Sequence, residues 1–241
     1  MGAPRLIDNR LTTFKIESRL PQWVVWPLVL GFLGLVLFAV EQYLHHYTIT
    51  QVVPEITEVD HFGVVKQSTD FTCVPAALTT LLRHQGVAAE QREVTDRLGT
   101  TIFGTYPWMI PKVGRSYGFR ITREKLGFHD LYRCEDPLLL YNHFNEGLHV
   151  SYVPPGRLPP DVATTVFAGL TAPLLPVMDP VDGLVLMDEV GFAGYFDSAE
   201  PKTVYRFVHP EREPRSLDLV KVFLSGNSPL LKVGATSGAG E

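Results

Sequence analysis

The chain has 241 residues, 45% of them hydrophobic and 20% charged, which is enough apolar material for one buried core of ordinary size. A net charge of −5 leaves no basic footprint and argues against nucleic acid as a partner. Two cysteines are too few for a disulfide framework, no His/Cys cluster has zinc-site spacing, and neither a Gly-rich phosphate loop nor a dinucleotide fingerprint occurs, so no metal or organic cofactor is implied.

Residues 1–22 form a polar segment carrying Arg5, Arg10, Lys15 and Arg19. Trp23 to Val40 is then an unbroken apolar run, WVVWPLVLGFLGLVLFAV, at the short end of what spans a bilayer. Trp23 and Trp26 stand where an interfacial aromatic belt is expected, and Tyr43 and Tyr47 flank the other end. No small-residue cleavage site follows; Glu41-Gln-Tyr-Leu-His-His-Tyr follows instead, which favours an uncleaved transmembrane anchor over 23–44. The run has no polar face, which argues against a buried core helix. Four basic residues precede the span and none follows before Lys66, so the positive-inside rule leaves the N-terminus in the cytoplasm and puts the remainder beyond the membrane.

Residues 48–66 read as a tether leading into an extended strand. Gln67-Ser-Thr-Asp-Phe-Thr-Cys73-Val-Pro-Ala-Ala-Leu runs from extended chain into a helix, with Cys73 at the junction. Pro75 is tolerated in a first turn because its missing N–H has no intrahelical partner there. Ala76, Ala77, Leu78, Leu81 and Leu82 make an apolar face, and Gly86 suits a C-terminal cap. A second helix is expected over 89–98, closed by Gly99, and a third capped by Thr105, with Pro107 in its first turn and Gly118 at its end. Strand-like runs follow from Phe119, over 137–141, 148–153 and 178–187 (strand, tight turn, strand), and over 204–208. Six prolines within 154–177 mark an insertion, and the Gly/Ser-rich residues 225–241 read as a mobile tail. Helices first and antiparallel strands afterwards is an α+β order.

A thiol at a helix N-terminus lies at the positive end of the backbone dipole, which favours the nucleophilic thiolate. Gln67 can bring an amide donor to the same place, and with a backbone N–H it has the parts of an oxyanion hole. Read alone, Cys73 is a buried small apolar residue capping a core helix, as most cysteines are. A cysteine nucleophile needs a base and an orienting partner. Of eight histidines, His84 lies almost three turns along the Cys73 helix, at about 1.5 Å per residue, and cannot reach back. His45 and His46 sit at the membrane interface, His61 in the tether, and His129, His143 and His209 in loop-like or polar settings. His149 alone lies inside a strand-like run. Asp179, fixed by Pro180, is the leading carboxylate, with Asp182 and Asp188 behind it; read alone, Asp-Pro is a turn initiator.

In order, Gln67…Cys73-Val-Pro-Ala-Ala-Leu, Gly104-Thr105, Tyr117-Gly118-Phe119, Leu148-His149-Val150 and Asp179-Pro180…Gly183 resemble the bacteriocin-processing (double-glycine leader) cysteine peptidases, over roughly residues 60–208. The resemblance implies a papain-like α+β domain over residues 48–224. It implies Cys73 as nucleophile, His149 as general base, Asp179 as its orienting carboxylate and Gln67 as an oxyanion donor. The expected activity is hydrolysis of a peptide bond through an acyl-thioenzyme, with a peptide or protein as substrate, on the outer side of a bacterial inner membrane.

Three departures qualify the resemblance. Val74 stands where the family usually has Gly, and could crowd the substrate. Thirty residues separate His149 from Asp179, a length the insertion at 154–177 accounts for and with which it could lid the cleft. The best-known members are cytoplasmic domains of export transporters, so a double-glycine specificity does not carry over. Two alternatives stay open: a Cys73–Cys134 disulfide in an oxidising compartment, and a catalytically silent peptidase-fold accessory subunit docked on a partner in a membrane complex.

Overall fold

The computed structural model describes residues 21–144, 147–155, 173–196, 200–218 and 229–232. The expected cytoplasmic segment up to residue 20, most of the proline-rich insertion and most of the expected tail lie outside the described residues. The chain divides into two compact units, Met1–Glu41 and Gln42–Glu241.

The first unit carries most of helix α1 (Gln22–Tyr47). Among the described residues this is the one helix long and apolar enough to cross a membrane, with a mean hydropathy of 2.4 over its most apolar stretch and none of that stretch buried.

In the second unit a single wide turn over Thr48–Val52 follows α1. The His45 ring here meets the Thr100 carbonyl at 2.8 Å. Helix α2 (Cys73–His84) is buried from Cys73 through Leu82. An amphipathic surface helix would leave one face polar; here Thr79 and Thr80 satisfy their hydroxyls on the Pro75 and Ala76 carbonyls, so the helix can be enclosed all round. Helix α3 (Gln91–Leu98) ends at Gly99 in a left-handed conformation, as the sequence suggests. Helix α4 (Met109–Ser116) starts later than expected, after Trp108. The Thr105 hydroxyl is shared with Thr100 at 2.7 Å and does not cap it.

The sheet comprises β1 (Arg120–Leu126), β2 (Leu138–Phe144), β3 (Gly147–Val153), β4 (Leu175–Asp179), β5 (Gly183–Met187), β6 (Lys202–Val208) and β7 (Leu230–Lys232), in the order β1-β6-β2-β3-β4-β5-β7. Every pairing is antiparallel except β5 with β7. Two short helices escaped the sequence reading: α5 (Phe128–Arg133) and α6 (Glu189–Tyr195). Leu78, Leu81 and Leu82 of α2 pack with Val150, Tyr152, Met178 and Leu186 in one core. Phe128, Leu131, Phe192 and Phe196 from α5 and α6 pack with Leu140, Val177 and Val185 in a second. The architecture is the expected α+β one.

Two further boundaries differ from expectation. The last residues of the expected insertion, 174–177, are buried sheet, because Leu-Leu-Pro-Val is apolar on both faces of a central strand. Inside the expected tail, Leu230–Lys232 pair with Val185–Met187.

Thr80 Oγ1 also accepts the buried Val65 N–H at 2.9 Å. Thr80→Val is expected to leave that N–H unpaired and cost about 1–3 kcal/mol. Leu81→Ala, at a site with no exposure, is expected to cost about 2–5 kcal/mol. Denaturant midpoints of the two variants against wild type check both values.

Candidate active site

The loop before α2 is folded by one hydroxyl. Thr72 Oγ1 accepts the Ser68 and Thr69 N–H groups, each at 3.0 Å, and donates to the Thr69 carbonyl at 2.9 Å. That brace makes Cys73 the first helical residue, 3% exposed. Val74 points into the core and also lines the cleft beside the sulfur. The cleft, about 310 Å³, is also lined by Asp70, Phe71, Ile102, Phe103, Gly104 and Thr105. Cys73 and Cys134 are not joined by a disulfide.

His149, on β3, makes a side-chain hydrogen bond with Cys73. Its Nε2 lies 2.6 Å from Asp179 Oδ2, which leaves Nδ1 as the nitrogen available to the sulfur. Asp179, at the end of β4, has no exposure, yet its carboxylate is well supplied with donors. Ser151 Oγ donates to Oδ2 at 2.7 Å, and the Val181 and Asp182 N–H groups donate to Oδ1 at 2.8 and 3.2 Å. Pro180, Val181 and Asp182 form a three-residue turn closed by Gly183, whose φ of +85° disfavours any side chain.

Burial alone would strip the proton from the His149 ring. Hydrogen bonds and charge from Asp179 and Cys73 outweigh burial and push its pKa up to about 10. Burial likewise disfavours the Asp179 charge, but the His149, Ser151 and Val181 hydrogen bonds hold that carboxyl below the usual carboxylate range.

Gln67 enters the site through its backbone. Its N–H donates to the Pro180 carbonyl at 3.2 Å, and its Oε1 is buried with no hydrogen-bond partner among the described residues. The residues singled out from sequence thus fall in one neighbourhood: Cys73, His149 and Asp179 in a linked row, and Gln67 tied to the turn that holds Asp179. The side chains of the weaker candidates have other partners. Asp182 is exposed and accepts from Tyr195 Oη at 2.8 Å, and Asp188 caps α6 through the Gly191 N–H at 2.7 Å. His84 bonds Tyr152 Oη at 2.8 Å, and burial, assisted by the Arg215 charge, lowers its pKa to about 4.

Sequence reasoning missed Ser151 and Tyr195. Ser151 was within reach, since residues two apart on a strand share a face and Ser151 follows His149 by two. Tyr195 carried no signal, because its helix was not recognised.

No protein-family model matches the chain. Over 68 residues it is 35% identical to an uncharacterized protein of Methanothermobacter thermautotrophicus, a match over 28% of this chain and 48% of that one. The chain therefore spans about half the length of the curated relative it matches. Among solved structures it is similar to the peptidase domain of Streptococcus ComA, a bi-functional ABC transporter involved in a quorum-sensing pathway, at 16% identity and TM-score 0.47 over 61% of this chain and 98% of that one. It is also similar to a double-glycine-motif protease from an AMS/PCAT transporter in complex with the leader peptide, at 18% identity and TM-score 0.45 over 64% and 95% of the two chains. A third likeness, to the Streptococcus mutans ComA peptidase domain, has 14% identity and TM-score 0.38 over 61% and 98%. All three TM-scores lie below 0.5, and the chemistry rests on the side chains described above.

The His149–Asp179 pair ties stability to pH in a calculable direction. A ring raised from 6.5 to about 10 contributes fully below pH 6.5, and that contribution is lost as pH rises through about 10. A carboxyl lowered from 3.8 contributes above that value and loses its contribution as pH falls. The stability gap between wild type and His149→Gln is therefore expected to be widest between about pH 4 and 6.5 and to close toward pH 10, as read from denaturant midpoints across pH.

Proposed function

We propose that this chain is a cysteine peptidase, held at a membrane by α1, that cleaves a peptide bond through an acyl-thioenzyme. The observation that carries the reading is the unbroken hydrogen-bonded row from the Cys73 thiol through His149 to the buried Asp179 carboxylate. In this reading the sulfur attacks the scissile carbonyl while the adjacent imidazolium stabilises its negative charge. The C–N bond then breaks and His149 passes its proton to the leaving amine. Water, giving a proton to His149, adds to the thioester, and the C–S bond breaks to release the acid and restore the thiol.

Gln67 supports the same reading. Its backbone N–H ties it to the Pro180 carbonyl of the turn that holds Asp179. In the proposed role its Nε2 and a backbone N–H take the oxyanion. The cleft walled by Phe71, Ile102 and Phe103 offers a peptide an apolar seat beside the sulfur.

For location we propose an anchor over residues 23–44 with the N-terminus in the cytoplasm, which places residues 48–224 outside a bacterial-type inner membrane. The substrate is a peptide or protein segment reachable from that side.

A peptidyl electrophile directed at thiols is expected to label wild type at Cys73 and to leave Cys73→Ala unlabelled. His149→Ala is expected to slow labelling by about a thousandfold or more, and Gln67→Ala to slow substrate turnover by about 10²–10³. Absence of labelling in wild type would return the domain to the accessory-subunit reading. For topology, a C-terminal tag should be digested by protease added to spheroplasts and protected in inverted vesicles; the reverse pattern overturns the orientation.

A further inference from the structure

The turn that holds Asp179 is itself held by a side chain outside the expected triad. Helix α6 brings Tyr195 to the β4–β5 turn, where its hydroxyl donates to Asp182 Oδ2 at 2.8 Å. One phenol thus anchors the residue whose own N–H serves Asp179 Oδ1.

The ring is located independently of that turn. It meets Phe196 edge-on, with centroids 5.0 Å apart, and the Lys232 ammonium stands 5.9 Å over its face. Helix α6 is seated by the Asp188 cap, and by an approach so close that a Cβ on Gly191 would lie 1.9 Å from the Lys232 carbonyl oxygen. Asp179 Oδ1, by contrast, depends on two N–H groups of the turn, Val181 and Asp182. Those amides point at the carboxylate only while the turn keeps its conformation, and the Asp182 side chain is otherwise exposed.

We propose that Tyr195 is a positioning residue: by holding Asp182 it fixes the β4–β5 turn, and so the direction from which the Asp179 carboxylate meets the His149 imidazole. This deepens the peptidase reading and rests on it. Other charged groups around the turn are Lys66, whose Nζ donates to the Val181 carbonyl at 2.9 Å, Asp60, 4.0 Å from Lys66, and Lys232 over the ring. None of these is altered in the variants below.

The test is the rate of Cys73 alkylation by iodoacetamide across pH, in the full-length chain in detergent, followed on the Cys73 peptide by mass spectrometry so that Cys134 does not interfere. His149→Ala identifies the alkaline limb that belongs to the imidazole. Tyr195→Phe keeps the ring and loses the hydroxyl; Asp182→Ala removes the other end of the clamp; Asp182→Asn keeps an acceptor. Tyr195→Phe and Asp182→Ala are expected to move the His149 limb down by about one pH unit, a tenfold change in the equilibrium, while Asp182→Asn stays with wild type. A Tyr195→Phe or Asp182→Ala profile that superimposes on wild type overturns the clamp and leaves the peptidase reading standing. A profile unchanged in His149→Ala overturns both. Should Tyr195→Phe fail to fold, the Asp182 pair decides: a shift in Ala alone supports the clamp, and equal behaviour of Ala and Asn overturns it.

Discussion

A carboxylate with no solvent exposure organises this domain. An unpaired charge in such a place costs several kcal/mol, so Asp179 is tenable only because donors from different parts of the chain converge on it. They are His149 and Ser151 from β3 and the two N–H groups of its own turn. Each of those partners is thereby fixed as well. The imidazole cannot rotate without abandoning Oδ2, and the turn cannot open without abandoning Oδ1. Placement of the imidazole is therefore a by-product of satisfying one buried charge.

The same turn reaches the other half of the site. Its Pro180 carbonyl takes the Gln67 N–H, and its Val181 carbonyl takes the Lys66 ammonium. Gly183 comes so near the tether that a Cβ there would lie 2.8 Å from Asp60 Oδ2. Gln67 opens the loop that Thr72 braces, and that loop delivers Cys73. Sulfur and carboxylate lie 106 residues apart in the chain, yet a few short contacts connect the segments that carry them. An antiparallel sheet with helices on it is a common frame; this pair of tied loops is particular to the site.

Much of the arrangement was legible because its signals are local. Pro75 and the leucine spacing disclosed α2, Gly99 and Gly118 disclosed the ends of their helices, and alternation around His149 disclosed β3. What stayed hidden depends on tertiary partners. Helix α6 contains Gly191 and Gly194, poor helix formers, and exists because Phe192 and Phe196 find a core to fill. Thr105 has the chemistry of a cap, but Thr100 holds its hydroxyl. Leu230–Lys232 sit among glycines and serines that suggest mobility, and are ordered by an open strand edge that the sequence does not announce. Tyr195 combines two such failures, since both its helix and its partners are long-range.

That strand edge has a practical consequence. The sheet's opposite margin, β1, carries Arg120, Arg123, Glu124 and Lys125, charges that discourage a stray strand from adding on. At the other margin β5 reads Gly-Leu-Val-Leu-Met, wholly buried, with β7 as its cover. Trimming the chain after residue 224, an attractive choice when the C-terminal stretch looks dispensable, would uncover an apolar row of unpaired amides and carbonyls and invite the trimmed molecules to zip together.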